Sequence, residues 1–333
     1  MALFFRRRKP HTSPEEPWKD HASVSRETGP RRAAVGDHDP DVDEYGDELA
    51  PPAHVFKQLP RPTEPRIIVV ANQKGGVGKT TTTVNLATAL ALGGLNVLVV
   101  DNDPQGNAST ALGIEHSPGT KGTYEVLMDG VGIIEHAQPS PHSPNLHVLP
   151  AAIDLSSAEL ELVNERGREH RMRDAINQYI EESGVDYVFF DCPPSLGLLT
   201  LNALVASTEI LVPIQTEYYA LEGLTQLLRT IDRVKGNLND DLVLSTILLT
   251  MYDGRTNLSR EVADEVRKHF SAETLPVEIP RSVKIAEAPS FGETVMTYQA
   301  RSVGAVAYQE AAEEIARRGA QEESRQGRHP TDR

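Results

Sequence analysis

From residue 66 onward the apolar positions fall into two alternating textures. Ile67–Ala71 is a continuous, β-branched apolar run bounded by polar residues, the pattern of a strand buried on both faces. Thr80–Leu92 follows with helical spacing (Val84, Leu86, Ala87, Leu90, Ala91) and stops at Gly93-Gly94. Further apolar runs predict strands at Val97–Val100, Val185–Phe190, Glu209–Pro213, Leu242–Leu249 and Leu275–Ile279. Between them, helical spacing predicts Ser156–Glu165, Arg168–Glu182, Leu221–Lys235, Ser259–Phe270 and Val303–Arg317. Such alternation predicts βαβ units: an α/β domain over residues 66–318, its mainly parallel sheet doubly wound with helices on both faces.

The chain before this domain has another character. Residues 1–65 hold 10 of the 23 prolines, and Asp37–Glu48 carries seven acids and no base. A segment with so little apolar surface cannot offset its ordering entropy and is expected to stay a disordered tail. Its tip joins Leu3, Phe4 and Phe5 to the basic run Arg6–Lys9, which keeps open contact with a membrane or a polar scaffold protein. Residues 319–333 are polar, without an apolar stripe, and are expected to fray. The chain has no apolar stretch of the ~18–20 residues that span a bilayer, and Met1–Phe5 is too short for a secretory h-region. A cytoplasmic protein is therefore expected. The single cysteine, Cys192, excludes a disulfide framework. The formal net charge of −15 opposes indiscriminate binding to nucleic acid.

The candidate chemistry lies between the first strand and the first long helix, in Lys74-Gly75-Gly76-Val77-Gly78-Lys79-Thr80-Thr81. A triphosphate needs several converging backbone N–H groups. Glycines let the chain curl that tightly, and the following helix offers its unsatisfied N–H groups and positive dipole end. Lys79 is placed to reach the β- and γ-phosphates, and the Thr80 hydroxyl to ligate Mg²⁺. Gln73 stands where the strict G-x-x-x-x-G-K-[ST] pattern has its first glycine, and a second lysine, Lys74, opens the loop. That lysine faces away from its own helix. Its physical use is to cross a two-fold interface into the partner subunit's nucleotide, which makes dimerisation depend on ATP. Asp191 ends an apolar strand at the ligand-binding edge of such a sheet, where a carboxylate orients a water on Mg²⁺. Asp101 and Asp103, two residues apart at the end of another strand, share that edge.

These segments resemble the ParA/MinD family of P-loop ATPases. Lys74–Thr80 is similar to the family's deviant phosphate loop, Asp101–Asn107 to its D-x-D-P-Q-G-N segment, and Val188–Pro194 to its Walker B strand. The resemblance implies that Asp103 positions or activates the attacking water and that Asp101 supports the metal region. Thr250–Leu258 and Ile279–Ser290 are similar to the DNA-partitioning Soj-type ParA branch. That branch implies an ATP-dependent homodimer that binds double-stranded DNA without sequence preference. It also implies a ParB-type DNA-bound activator of a weak ATPase, segregation of replicated origins, and nucleoid association. Arg255 and Lys284 are the implied DNA contacts; Lys284 departs from the family's arginine and loses its fork. Pro280 and Arg281 are placed at the nucleotide's base pocket, with contact to DNA an equal alternative for Arg281. The residues from Arg66 onward carry a net charge of −13, so DNA binding requires bases clustered on one face. Two other readings stay open: a positioning ATPase whose cargo is a protein cluster or envelope complex, and a small-molecule P-loop enzyme.

Overall fold

A computed structural model describes residues 56–218 and 220–321. The apolar–basic tip and the acidic run Asp37–Glu48 lie outside them, so the expectations placed on those segments lie outside the described residues as well.

Eight strands form one sheet: β1 (Arg66–Val70), β2 (Val97–Asp101), β3 (Gln138–Pro139), β4 (Leu146–Leu149), β5 (Tyr187–Asp191), β6 (Glu209–Gln215), β7 (Val243–Tyr252) and β8 (Thr274–Pro280). Their order is β3-β4-β2-β5-β1-β6-β7-β8, parallel throughout except for the short β3, which runs antiparallel to β4 at the edge. Every residue of β1, β2 and β5 is buried. Alternation across the pleat explains this. Ile67, Val69, Leu98, Val100, Val188 and Phe190 enter one core with helices Arg171–Ser183, Leu198–Ala206 and Ala220–Lys235. Ile68, Val70, Val97, Val99, Tyr187 and Phe189 enter the other, with helices Lys79–Leu92 and Val303–Gln321. A strand covered on both faces has no polar side to show, hence the unbroken apolar runs.

Two boundaries differ from the sequence expectation. The body begins before residue 66: Leu59 is buried, its N–H bonds the Gly93 carbonyl at 2.9 Å, and Arg61 pairs with Asp186. At the other end the last helix runs through Gly319 to Gln321. A Cβ at Gly319 would lie 2.9 Å from both Arg66 Cδ and the Tyr187 hydroxyl. That glycine permits a close approach; it does not stop the helix. Among the described residues no helix is long and apolar enough to cross a membrane.

Candidate nucleotide site

The site forms where three central strands end together. The register sets Val70 beside Asp191 and Asp191 beside Asp101, so the residues leaving β1, β5 and β2 share one edge. Beyond Val70 the loop turns on Gly76 and Gly78, whose φ angles of 73° and 88° are left-handed and suit glycine. Gly75 leaves open space where a Cβ would stand. Val77 is buried, and its carbonyl accepts a 2.9 Å bond from the Thr250 hydroxyl of β7. Helix Lys79–Leu92 then starts with no acid in its first turn, leaving its positive end to face an anion.

The two lysines of the loop are placed differently. Lys79 is 8% exposed, its Nζ 3.5 Å from the Lys74 carbonyl. Burial pushes its pKa down, opposed by the nearby Asp191 charge. Lys74 is exposed, and its Nζ pairs with Glu217 Oε2 at 2.7 Å. Glu217 in turn is held by Gln215, whose Nε2 donates to Oε1 at 2.5 Å. Neither sequence motif pointed to Glu217; it follows β6 by two residues.

The carboxylates separate by environment. Asp191 is fully buried, accepting from Thr80 Oγ1 at 2.7 Å and Thr83 Oγ1 at 3.4 Å. Burial raises its pKa to about 8, with Asp101 adding to the effect. A buried carboxyl beside a threonine hydroxyl suits a hard divalent cation, which prefers oxygen donors and keeps most of its waters. Thr80 and Asp191 therefore fit Mg²⁺, and such an ion, once bound with phosphate, would favour the charged carboxylate.

Asp101 does not fit the metal role assigned from sequence. Its Oδ2 accepts from the Ser109 N–H at 2.8 Å and the Ser109 hydroxyl at 2.7 Å, and Oδ1 from the Asp103 N–H at 3.3 Å. Burial raises its pKa to about 7. Oδ2 is taken by Ser109 and Oδ1 is bonded weakly by Asp103, so in this structure Asp101 acts as a brace that sets the loop carrying Asp103. Asp103 is half-buried, its Oδ1 accepting from the Gln105 N–H at 3.0 Å and its other oxygen available to the site. Asn102, unnoticed in the sequence, ties the two loops: its Nδ2 donates to the Leu199 carbonyl at 2.8 Å and lies 3.8 Å from Cys192 Sγ. Burial pushes the Cys192 thiol well above its usual range, which makes it an inert core group.

The remaining candidates scatter. Pro280 ends β8 beside Tyr252, and the Arg281 N–H bonds the Tyr252 carbonyl at 3.2 Å. This places Arg281 near Asp253, two strands of the sheet away from β6. Arg255 projects from the turn after β7 with 89% of its side chain exposed, paired to Asp253 at 2.9 Å. Lys284 is corrected: it is only 7% exposed, its Nζ 3.8 Å from Glu287 and 5.9 Å from the Tyr298 ring centre. Its ammonium faces inward in the short helix Val283–Glu287, and a DNA phosphate cannot meet it in this conformation.

A loop of this build, on the edge of a parallel sheet with a buried lysine, a helix N-terminus and a threonine–aspartate pair, defines a P-loop ATPase. Comparison with known proteins agrees. Residues 65–244 match the family model described as an AAA domain. The chromosome partitioning protein ParA of Caulobacter vibrioides is 48% identical over 250 residues, covering 75% of this chain and 93% of that protein. The sporulation initiation inhibitor protein Soj of Bacillus subtilis is 48% identical over 254 residues, covering 76% and 99%. A crystal structure from Mycobacterium smegmatis, described as cobyrinic acid a,c-diamide synthase with bound ADP and magnesium, superposes with TM-score 0.66 at 37% identity, covering 79% and 97%. The chain belongs to the ParA/MinD family of P-loop ATPases, on its ParA/Soj side.

Proposed function

We propose that this protein is a chromosome-partitioning ATPase. ATP and Mg²⁺ bind at Lys74–Thr81 and Asp191, two copies close face to face, and the dimer binds duplex DNA without sequence preference through Arg255. Hydrolysis, with Asp103 positioning the water, returns monomers, and a ParB-type DNA-bound partner accelerates that step at the nucleoid. The names of the relatives support the partitioning role, and solved neighbours with bound ADP or an ATP analogue and magnesium support those ligands.

One observation carries the dimer: the loop holds two lysines, and only Lys79 is buried against it. Lys74 stands at the mouth, ion-paired to an exposed glutamate that a partner's phosphates can replace. Sedimentation with ATP, ADP and no nucleotide tests this. Lys74→Ala should bind ATP as a monomer and form no ATP-dependent dimer; a dimer that survives the substitution refutes the crossing. Binding to unrelated duplex DNA only with ATP, lost in Arg255→Ala, tests the DNA role. Binding to anionic vesicles instead, lost without residues 1–9, would move the protein to the positioning class.

A further inference from the structure

The turn that carries Arg255 is built as a clamp. Asp253 accepts from the Arg255 Nε at 2.9 Å, from Nη2 at 3.0 Å and from the Arg255 backbone N–H at 3.1 Å. Asp253 occupies the Nε/Nη2 edge of the guanidinium, and a phosphate takes that edge only by displacing it or shares the group through Nη1. The carboxylate also sits where a phosphate approaching the guanidinium would be repelled.

The clamp is wired to the nucleotide site by two short routes. The first runs along β7. Thr250 donates to the Val77 carbonyl inside the phosphate loop, and its methyl lies 4.0 Å from where a Cβ of Gly78 would be. The next residue, Met251, has a φ of +51°, the one left-handed backbone among the described residues other than glycine. A long unbranched side chain gains nothing from that region, so the conformation is imposed by its surroundings and marks a strained joint between loop and turn. The second route starts at the mouth of the loop. Glu217, which holds Lys74, follows Thr216, whose hydroxyl lies 2.9 Å from that of Ser259; Ser259 Oγ accepts from the Asp253 N–H at 3.4 Å. Thr216 and Ser259 are both buried, so this link is shielded from water.

We propose that Asp253 is an internal counter-ion that masks Arg255 in the nucleotide-free monomer, and that Thr250 transmits the state of the phosphate loop to the mask across Met251. This rests on the DNA-binding reading above and adds its control. Nucleotide that draws the Val77 carbonyl inward shifts Thr250, relaxes the left-handed joint and reorients the turn, freeing the arginine fork for phosphate. Association with DNA is then an exchange of anionic partners on Arg255.

The test is fluorescence anisotropy on an unrelated duplex at low and moderate salt, with ATP·Mg²⁺ and without nucleotide. It uses the full-length wild type, Asp253→Asn, Thr250→Val, Thr250→Ser and Arg255→Ala. Circular dichroism and binding of a fluorescent ATP analogue check folding. Asp253→Asn should bind DNA about two- to fivefold more tightly than wild type without nucleotide, narrowing the ATP-dependent gain by the same factor. Thr250→Val should lose most of that gain, and Thr250→Ser, which keeps the hydroxyl, should retain it. Unchanged or weaker nucleotide-free binding by Asp253→Asn overturns the mask, since Asp253 would then orient Arg255 toward DNA. A full ATP-dependent gain in Thr250→Val overturns the relay. If no form binds DNA while all bind nucleotide, the DNA reading itself fails and the mask with it. Wild-type binding that ignores both substitutions fails the mask alone.

Discussion

Replacing Arg66 by methionine tests how the sheet is held at the end opposite the nucleotide. Arg66 opens β1 and Glu209 opens β6, and both are buried, at 6% and 7% exposure. The guanidinium gives Nε to Oε1 at 2.6 Å and Nη2 to Oε2 at 2.5 Å, and its Nη1 reaches the Ile315 carbonyl at 2.8 Å. It also lies 5.7 Å from the Tyr187 ring centre. Burial works against this charge, and the Glu209 carboxylate overrides it, so the guanidinium is held above its ordinary pKa. Methionine matches the stem but leaves a carboxylate with neither donor. Breaking a buried pair from one side costs about 3–5 kcal/mol, a large share of the ~5–15 kcal/mol typical of a folded domain. Removing both members, as Arg66→Met with Glu209→Met, should recover most of that loss, to within about 2 kcal/mol of wild type. Urea unfolding followed by circular dichroism gives the order: wild type close to the double variant, the single variant far below. A single variant within about 1 kcal/mol of wild type, or a double variant as unstable as the single, would refute the assignment of this pair as a fully desolvated unit. Nucleotide affinity below the unfolding transition should not change, because β1 separates the pair from the loop by its full length.

Other outcomes follow from the site. Lys79→Ala should weaken ATP binding by about tenfold to a hundredfold, the worth of a charge-assisted bond to phosphate; calorimetry reads it directly. Asp101→Asn keeps the volume but turns an acceptor into a donor against Ser109 or Asp103, which should cost about 1–3 kcal/mol of stability and slow turnover more than it weakens binding. Asp101 and Asp191 are both held above the carboxylate range by burial, to about 7 and about 8. The nucleotide-free folded state thus retains protons that the unfolded chain has released above about pH 4. Its stability should fall as pH rises through the folded values, and the fall from pH 5 to 8 should be shallower in Asp191→Asn, as urea midpoints would show. Native protein should leave Cys192 unreacted with a thiol reagent at pH 8, with labelling at the unfolding rate; immediate reaction would contradict its burial.

The phosphate loop was legible because its chemistry is local. Glycines at 76 and 78, Lys79 and Thr80 act within one turn of chain, so spacing alone locates them. The three strands under the site were legible for a related reason, since burial on both faces writes itself as unbroken apolar runs. What escaped depends on residues far apart in sequence. Glu217 meets Lys74 across 143 residues, and Thr250 meets Val77 across 173. Neither contact has a sequence pattern. The resemblance gave Asp101 to the metal region, and a D-x-D spacing is shared by ligands and braces; its bonds to Ser109 are what mark it as a brace. Lys284 was a DNA contact only by resemblance, and the five-residue helix Val283–Glu287 is too short for periodicity to say which side faces in. Helical spacing ends the last helix at Arg317 because the polar residues from 319 onward carry no apolar stripe, and a glycine that admits a neighbour leaves no mark in a string.

The acidic charge of the chain and the state of its two exposed functional cations belong to one arrangement. Lys74 and Arg255 are the groups assigned to anions on other molecules, and each is held in the monomer by a carboxylate of its own chain, Glu217 or Asp253. Neither pair is buried, so water screens each and each contributes little. In the proposed cycle, closing the dimer or meeting DNA would replace one anion by another on the same cation. The Coulombic gain of each exchange is small, and a net charge of −15 works against it at long range. On that proposal, binding would depend on several exchanges made together, by two copies and with nucleotide phosphates present. Loss of one phosphate then tips the sum, because the internal carboxylates stand ready to reclaim both cations. A basic protein with unpaired lysines at the same positions would bind DNA more tightly and would not let go. In the proposed cycle, which releases DNA after each hydrolysis, this internal competition would keep every step reversible.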